Sequence, residues 1–150
     1  MEVEHKEAFY KAFQHFYKGD ADAVSLSMML IEVCDIWDDL IDGDTVQNAD
    51  IDRVFRYLIY DIPMNRVYMS IPGINCHLLN VFLRWRDATN MEAEDAPDLE
   101  KTYMLRAGVY DMFSIIAFHL FGDEWAKEIG PSIRKLYGET LDSLRREFNA

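Results

Sequence analysis

Apolar residues recur at helical spacing along almost the whole chain, and nowhere do they alternate as a half-buried strand requires. Phe9, Phe13 and Phe16 stand at i, i+4 and i+7 and predict a helix over about residues 4–17, ending at Gly19-Asp20. A second helix is expected from Asp22, a capping residue type, to Gly43, which suits the left-handed turn that closes a helix. A third, capped by Asn48 or Asp50, carries Val54, Phe55, Leu58 and Ile59 and must end before Pro63. Beyond it the pattern predicts a short turn over about residues 65–70, then a helix opened by Pro72 with Ile74, Leu78, Val81, Phe82 and Trp85 on one side. A long helix follows over about residues 98–121, closed by Gly122, then one from Asp123 broken at Gly130-Pro131. The last helix shows Ile133, Leu136, Tyr137, Leu141, Leu144 and Phe148. The expected fold is all-α: residues 1–150 as a single compact bundle of about six to eight helices.

Half of the 150 residues are apolar, enough for a sizeable core. No basic start leads into an apolar run, as an export signal needs, and no stretch reaches the roughly 18 apolar residues of a membrane span. The two cysteines, Cys34 and Cys76, read as reduced core thiols. A cytoplasmic protein with no membrane partner is expected. The net charge of −12 is concentrated: between Lys18 and Arg53 stand ten acids and no Lys or Arg, leaving 17 acids against 15 bases elsewhere. Such a surface repels a phosphate backbone, so direct nucleic-acid binding is not expected.

The second helix concentrates this charge on one side. At 100° per residue, Glu32, Asp35, Asp38, Asp39 and Asp42 fall within about 120° of arc, with Met29, Val33, Ile36, Trp37 and Leu40 opposite. Asp35/Asp39 and Asp38/Asp42 are like-charge pairs one turn apart. Exposed, each pair costs only about 0.2–0.5 kcal/mol. Partly buried, each would cost on the order of 3 kcal/mol, which calls for a compensating charge. Three readings stay open: a solvated face, a site for Mg²⁺, Mn²⁺ or Ca²⁺ built from Asp35, Asp38, Asp39 and Asp42, or pairing with arginines of other helices. Glu32, Arg106 and Asp111 are candidate additional ligands or anion partners. His5, His15, His77 and His119 show no zinc-ligand spacing. An EF-hand register would put Leu40 and Ala49 where ligands belong.

Trp37-Asp38-Asp39-Leu40-Ile41-Asp42 resembles the aromatic-D-D-x-x-D motif of class I isoprenoid (terpene) synthases. The resemblance implies Asp38 and Asp42, with Asp39 beside them, as Mg²⁺ ligands facing a substrate diphosphate. That family's second metal motif has only a partial counterpart in Tyr110-Asp111-Met112-Phe113-Ser114, and Phe118 stands where its glutamate belongs. Glu4-His5-Lys6-Glu7 and Glu32-Val33-Cys34-Asp35 resemble the paired E-x-x-E and E-x-x-D helices of all-α nucleotide pyrophosphatases of the MazG and dimeric dUTPase kind. Taken whole, the chain looks most like small helical proteins of tailed bacteriophages. The segments that carry this likeness are Ile36-Trp37-Asp38-Asp39-Leu40-Ile41-Asp42, Ile62-Pro63-Met64-Asn65, Trp85-Arg86-Asp87-Ala88-Thr89, Tyr103-Met104-Leu105-Arg106 and Gly130-Pro131-Ser132-Ile133-Arg134. It implies a phage gene product working in the host cytoplasm.

Arg106 interrupts the apolar pattern of its helix beside Tyr103, Tyr110 and Phe113, and a buried arginine needs an anionic partner. That partner is expected to be a phosphate, an aspartate of the stripe, or the nearby Asp111. The functional expectation is an acidic, non-catalytic accessory protein whose aspartate helix binds a divalent cation or a basic host protein. The alternative is a Mg²⁺-dependent enzyme acting on a diphosphate-containing substrate. Oligomeric state is not legible in the sequence.

Overall fold

A computed structural model describes residues 3–149, and every regular element among them is helical. The chain divides into two compact units, Met1–Pro72 with His119–Phe121, and Gly73–Phe118 with Gly122–Ala150.

The first unit begins with α1 (Val3–Phe16) and α2 (Ala21–Asp42), which pack together as a hairpin. Phe13, Phe16 and Tyr17 are buried, as the phenylalanine spacing predicts. The Ser27 hydroxyl donates to the Tyr17 hydroxyl at 2.8 Å, and burial raises the tyrosine far above its ordinary pKa. Asp20, not Asp22, caps α2, its carboxylate accepting from the Ala23 N–H at 3.0 Å; Asp22 instead meets Arg66 Nε at 2.8 Å. Gly43 ends α2 at φ +79°, where only glycine sits without steric cost.

After the turn comes α3 (Asn48–Arg56), with Asn48 and Asp50 inside the helix and Gln47 at its cap position. It does not stop there. A π-helical segment, Tyr57–Asp61, continues it, and the Ile62 N–H reaches the Tyr57 carbonyl at 2.9 Å. α4 (Arg66–Ser70) is capped by Asn65, which accepts from the Val67 and Tyr68 N–H groups and donates to the Asp22 carbonyl at 3.0 Å. That last bond ties α4 to the start of α2.

In the second unit α5 (Ile74–Glu92) buries Ile74, Val81, Trp85 and Ala88, with Leu78 half-buried and Phe82 outside. Asp98 caps α6 (Leu99–Arg106), accepting from the Lys101 N–H at 3.2 Å. The helix expected over 98–121 is broken at Ala107–Gly108. Arg84 Nη2 donates to the Met104 carbonyl at 2.8 Å, the acceptor that Gly108 would use in an unbroken helix. The Gly108 N–H turns to Leu105 instead, at 3.3 Å.

α7 (Val109–Phe121) then buries Val109, Tyr110, Met112, Phe113, Ile116 and Ala117. Leu99–Phe121 taken together has the length and mean hydropathy of a membrane span. Its break, and the ion pairs of Arg106 and Asp111 within it, are those of a packed core helix. α8 (Asp123–Lys135) runs through Gly130-Pro131, where a break was expected. Buried Ile129 and Ile133, one on each side of the proline, hold the helix across the missing N–H. A turn then separates off α9 (Leu141–Asn149), so the last expected helix is two. Its start is fixed by a reciprocal cap: Thr140 N–H donates to Ser143 Oγ, and Ser143 N–H to Thr140 Oγ1, each at 3.1 Å.

Candidate functional site

The carboxylates of α2 do not share one environment. Glu32 is buried, Asp35, Asp38 and Asp39 are half-buried, and Asp42 is exposed, so the stripe runs outward along the helix. Asp35, Asp39 and Asp42 form no ion pair among the described residues. Burial, with the charges of Asp39 and Glu32 adding to it, raises the Asp35 carboxyl above its ordinary range. The same burial, with Asp35 and Asp38 nearby, pushes the Cys34 thiol up to about 12, so it stays protonated. Among the described residues no three His, Cys, Asp or Glu side chains gather as a metal ion would require.

Glu32 follows the third reading and pairs with cations of other helices. It accepts Lys6 Nζ from α1 at 2.7 Å and Arg53 Nε from α3 at 3.1 Å. Burial acts to raise its pKa, but the bonds from Lys6 and Arg53, and one from Tyr57, outweigh it and hold the carboxyl below the usual range. Arg53 also reaches Asp50 at 2.8 Å. The E-x-x-E and E-x-x-D segments therefore do lie on packed helices, α1 and α2, but Glu32 is taken by cations while Glu4 and Glu7 are exposed.

This grip sets the rotation of α3. Arg53 and Tyr57, one turn apart, face α2 through Glu32, and Val54 and Ile62 are buried beside them. The side that carries Phe55, Leu58 and Ile59 is turned outward, at 64 %, 50 % and 75 % exposure. Of the four apolar residues that the third helix was expected to carry, only Val54 is buried. The side of α3 that meets Glu32 is the one with Arg53 and Tyr57, and the three apolar side chains lie on the other.

Arg106 and Asp111 each find partners within the second unit. Arg106 grips Glu92 with two nitrogens, Nε at 2.9 Å, and its guanidinium lies 4.3 Å from the Trp85 ring centroid. Asp111, expected beside Arg106, pairs instead with Arg84 and Arg134. Arg84 and Arg106 therefore both serve internal ion pairs. Trp85, Thr89 and Glu92 stand at i, i+4 and i+7 on α5, so the acid in line with the buried tryptophan was the readable signal for Arg106.

No protein-family model, curated protein or solved structure matches the chain. The geometry of α2 is what bears on function. Its last two turns hold Asp35, Asp38, Asp39 and Asp42 together with Leu40 and Ile41, each half exposed. Such a surface can do two things chemically. It can attract a cationic group from solution, and it can offer apolar contact once that group is near.

Proposed function

We propose that the chain is a non-catalytic, acidic accessory protein of the tailed-phage kind, and that it engages a basic host protein in the cytoplasm through the second half of α2. The observation that carries this reading is a run of acids with few cations: Asp39 and Asp42 have no ion pair among the described residues, and no Lys or Arg lies between Lys18 and Arg53. Charge of one sign on an accessible helix end steers an opposite charge toward it.

The test is capture from host lysate at low and high salt, with wild type beside an Asp38→Asn/Asp39→Asn/Asp42→Asn variant. A basic partner retained at low salt, released at high salt and missed by the variant supports the reading. Metal-dependent release of pyrophosphate from nucleotides or prenyl diphosphates, abolished by Asp38→Asn, would overturn it in favour of a Mg²⁺-dependent enzyme.

A second reading is favoured by the crowding at Asp35: Mg²⁺, Mn²⁺ or Ca²⁺ taken up by Asp35, Asp38, Asp39 and Asp42 would relieve that repulsion. A site occupied at a hundred times its dissociation constant raises stability by about 2.7 kcal/mol. Melting in about 10 mM MgCl₂ against EDTA at matched ionic strength tests it. Equal melting points, or an equal shift in Asp38→Asn/Asp42→Asn, would discard the cation.

A further inference from the structure

We infer that Phe55, Leu58 and Ile59, on the outer side of α3 and its π-helical continuation, form a docking stripe for a basic amphipathic helix of a partner protein. The inference rests on the acidic-partner reading above and names the chemistry of that partner. Single exposed apolar side chains are ordinary on protein surfaces. Three at i, i+3 and i+4, exposed by 64 %, 50 % and 75 %, are a helix-packing stripe with nothing packed on it among the described residues. Arg53 and Tyr57 face Glu32 on the opposite side, so turning the stripe inward would carry both away from that carboxylate.

Ridges spaced this way accept the ridges of another helix. The surrounding charge selects which helix. Asp52 is exposed on the same side, one turn before Phe55, and Asp42 at the end of α2 and Asp44 in the connection that follows are exposed too. Arg56, which flanks the stripe, is matched by Asp61 at 2.8 Å. A second copy of this chain would bring like charge against like, and an anionic membrane surface would be repelled in the same way. A helix with lysine or arginine on one side and leucine-like residues on the other meets both features at once.

The probe is a labelled synthetic helix of about 15 residues, leucine on one face and lysine on the other, beside a scrambled peptide of the same composition. Both are titrated with the full chain and read by fluorescence anisotropy. The patterned peptide is expected to bind at least about tenfold tighter than the scrambled one, and Phe55→Ser/Ile59→Ser to remove that advantage. Methyl resonances of Ile59 in the wild-type chain should shift with the patterned peptide, which reads the contact without any substitution. Equal binding of the two peptides, or no effect of the serine variant with Ile59 unmoved, overturns the stripe while leaving the acidic-partner reading intact. Unchanged binding by the Asp38→Asn/Asp39→Asn/Asp42→Asn variant overturns that reading itself. Self-association in sedimentation that Phe55→Ser/Ile59→Ser abolishes assigns the stripe to a second copy, and the inference falls.

Discussion

Two carboxylates one turn apart on α2, Glu32 and Asp35, respond to folding in opposite directions. Glu32 is held below its ordinary pKa, so its contribution to stability is present above the usual carboxylate range and is lost as pH falls through its lowered folded value. Asp35 is raised, so its ionisation opposes folding, and the penalty is complete only above its raised folded value. Glu32→Ala should cost about 1–2 kcal/mol near neutral pH, a modest figure because Lys6 and Arg53 stay largely in water. Asp35→Asn should stabilise near neutral pH, and the gain should fade as pH drops through the ordinary Asp value of about 3.9 and the carboxyl becomes protonated in both states. Urea melts across this range measure both. A destabilised Asp35→Asn at neutral pH would contradict the assignment.

At the scale of elements, Gly43, which ends α2, and Gly130, inside α8, make a paired prediction. Gly130 lies within α8 at ordinary φ with open space beyond its chain neighbours, but Pro131 follows it, and a Cβ before a helical proline crowds the proline Cδ. Gly130→Ala should therefore fall short of the roughly 1 kcal/mol gain of an ordinary helical Gly→Ala change. Gly43 is equally open but sits at φ +79°, so Gly43→Ala should cost about 1 kcal/mol through the backbone alone. Thermal melts of the two variants should move apart. The helices themselves were legible from periodicity: the starts near Asp98 and Asn65 and the closures at Gly43 and Gly122 lie where local capping chemistry puts them. What was not legible depends on partners far along the chain. The break at Gly108 needs Arg84, 24 residues earlier, to claim the Met104 carbonyl. The outward turn of Phe55, Leu58 and Ile59 goes with Arg53 meeting Glu32, 21 residues away in sequence. Within the acidic stripe, position on the wheel was readable for all five acids, but which of them meets a cation was not, since Lys6 and Arg53 come from different helices.

Across the whole molecule the charge is uneven. Ten acids without a base lie between Lys18 and Arg53, in a chain whose remainder holds 17 acids and 15 bases. Self-repulsion in that region is screened by salt, since the Debye length shrinks to about 8 Å at 0.15 M. Raising NaCl from about 20 to about 200 mM should therefore raise the melting temperature of wild type. Asp38→Asn/Asp42→Asn should melt higher at low salt and gain less from added salt. A melting temperature that falls with salt would mean that the ion pairs of Lys6, Arg53 and Arg66 outweigh the repulsion.

The π-helical segment Tyr57–Asp61 is, in effect, a single extra residue accommodated inside a continuous helix. Its wide turn absorbs the surplus as a bulge, so that Arg53 before it and Ile62 after it both face inward. Removing one residue between Leu58 and Tyr60 would restore ordinary winding without swinging either flank. Here chain length can change by one inside a helix and the fold can keep its register. What such a shortening takes away is outward-facing side chain.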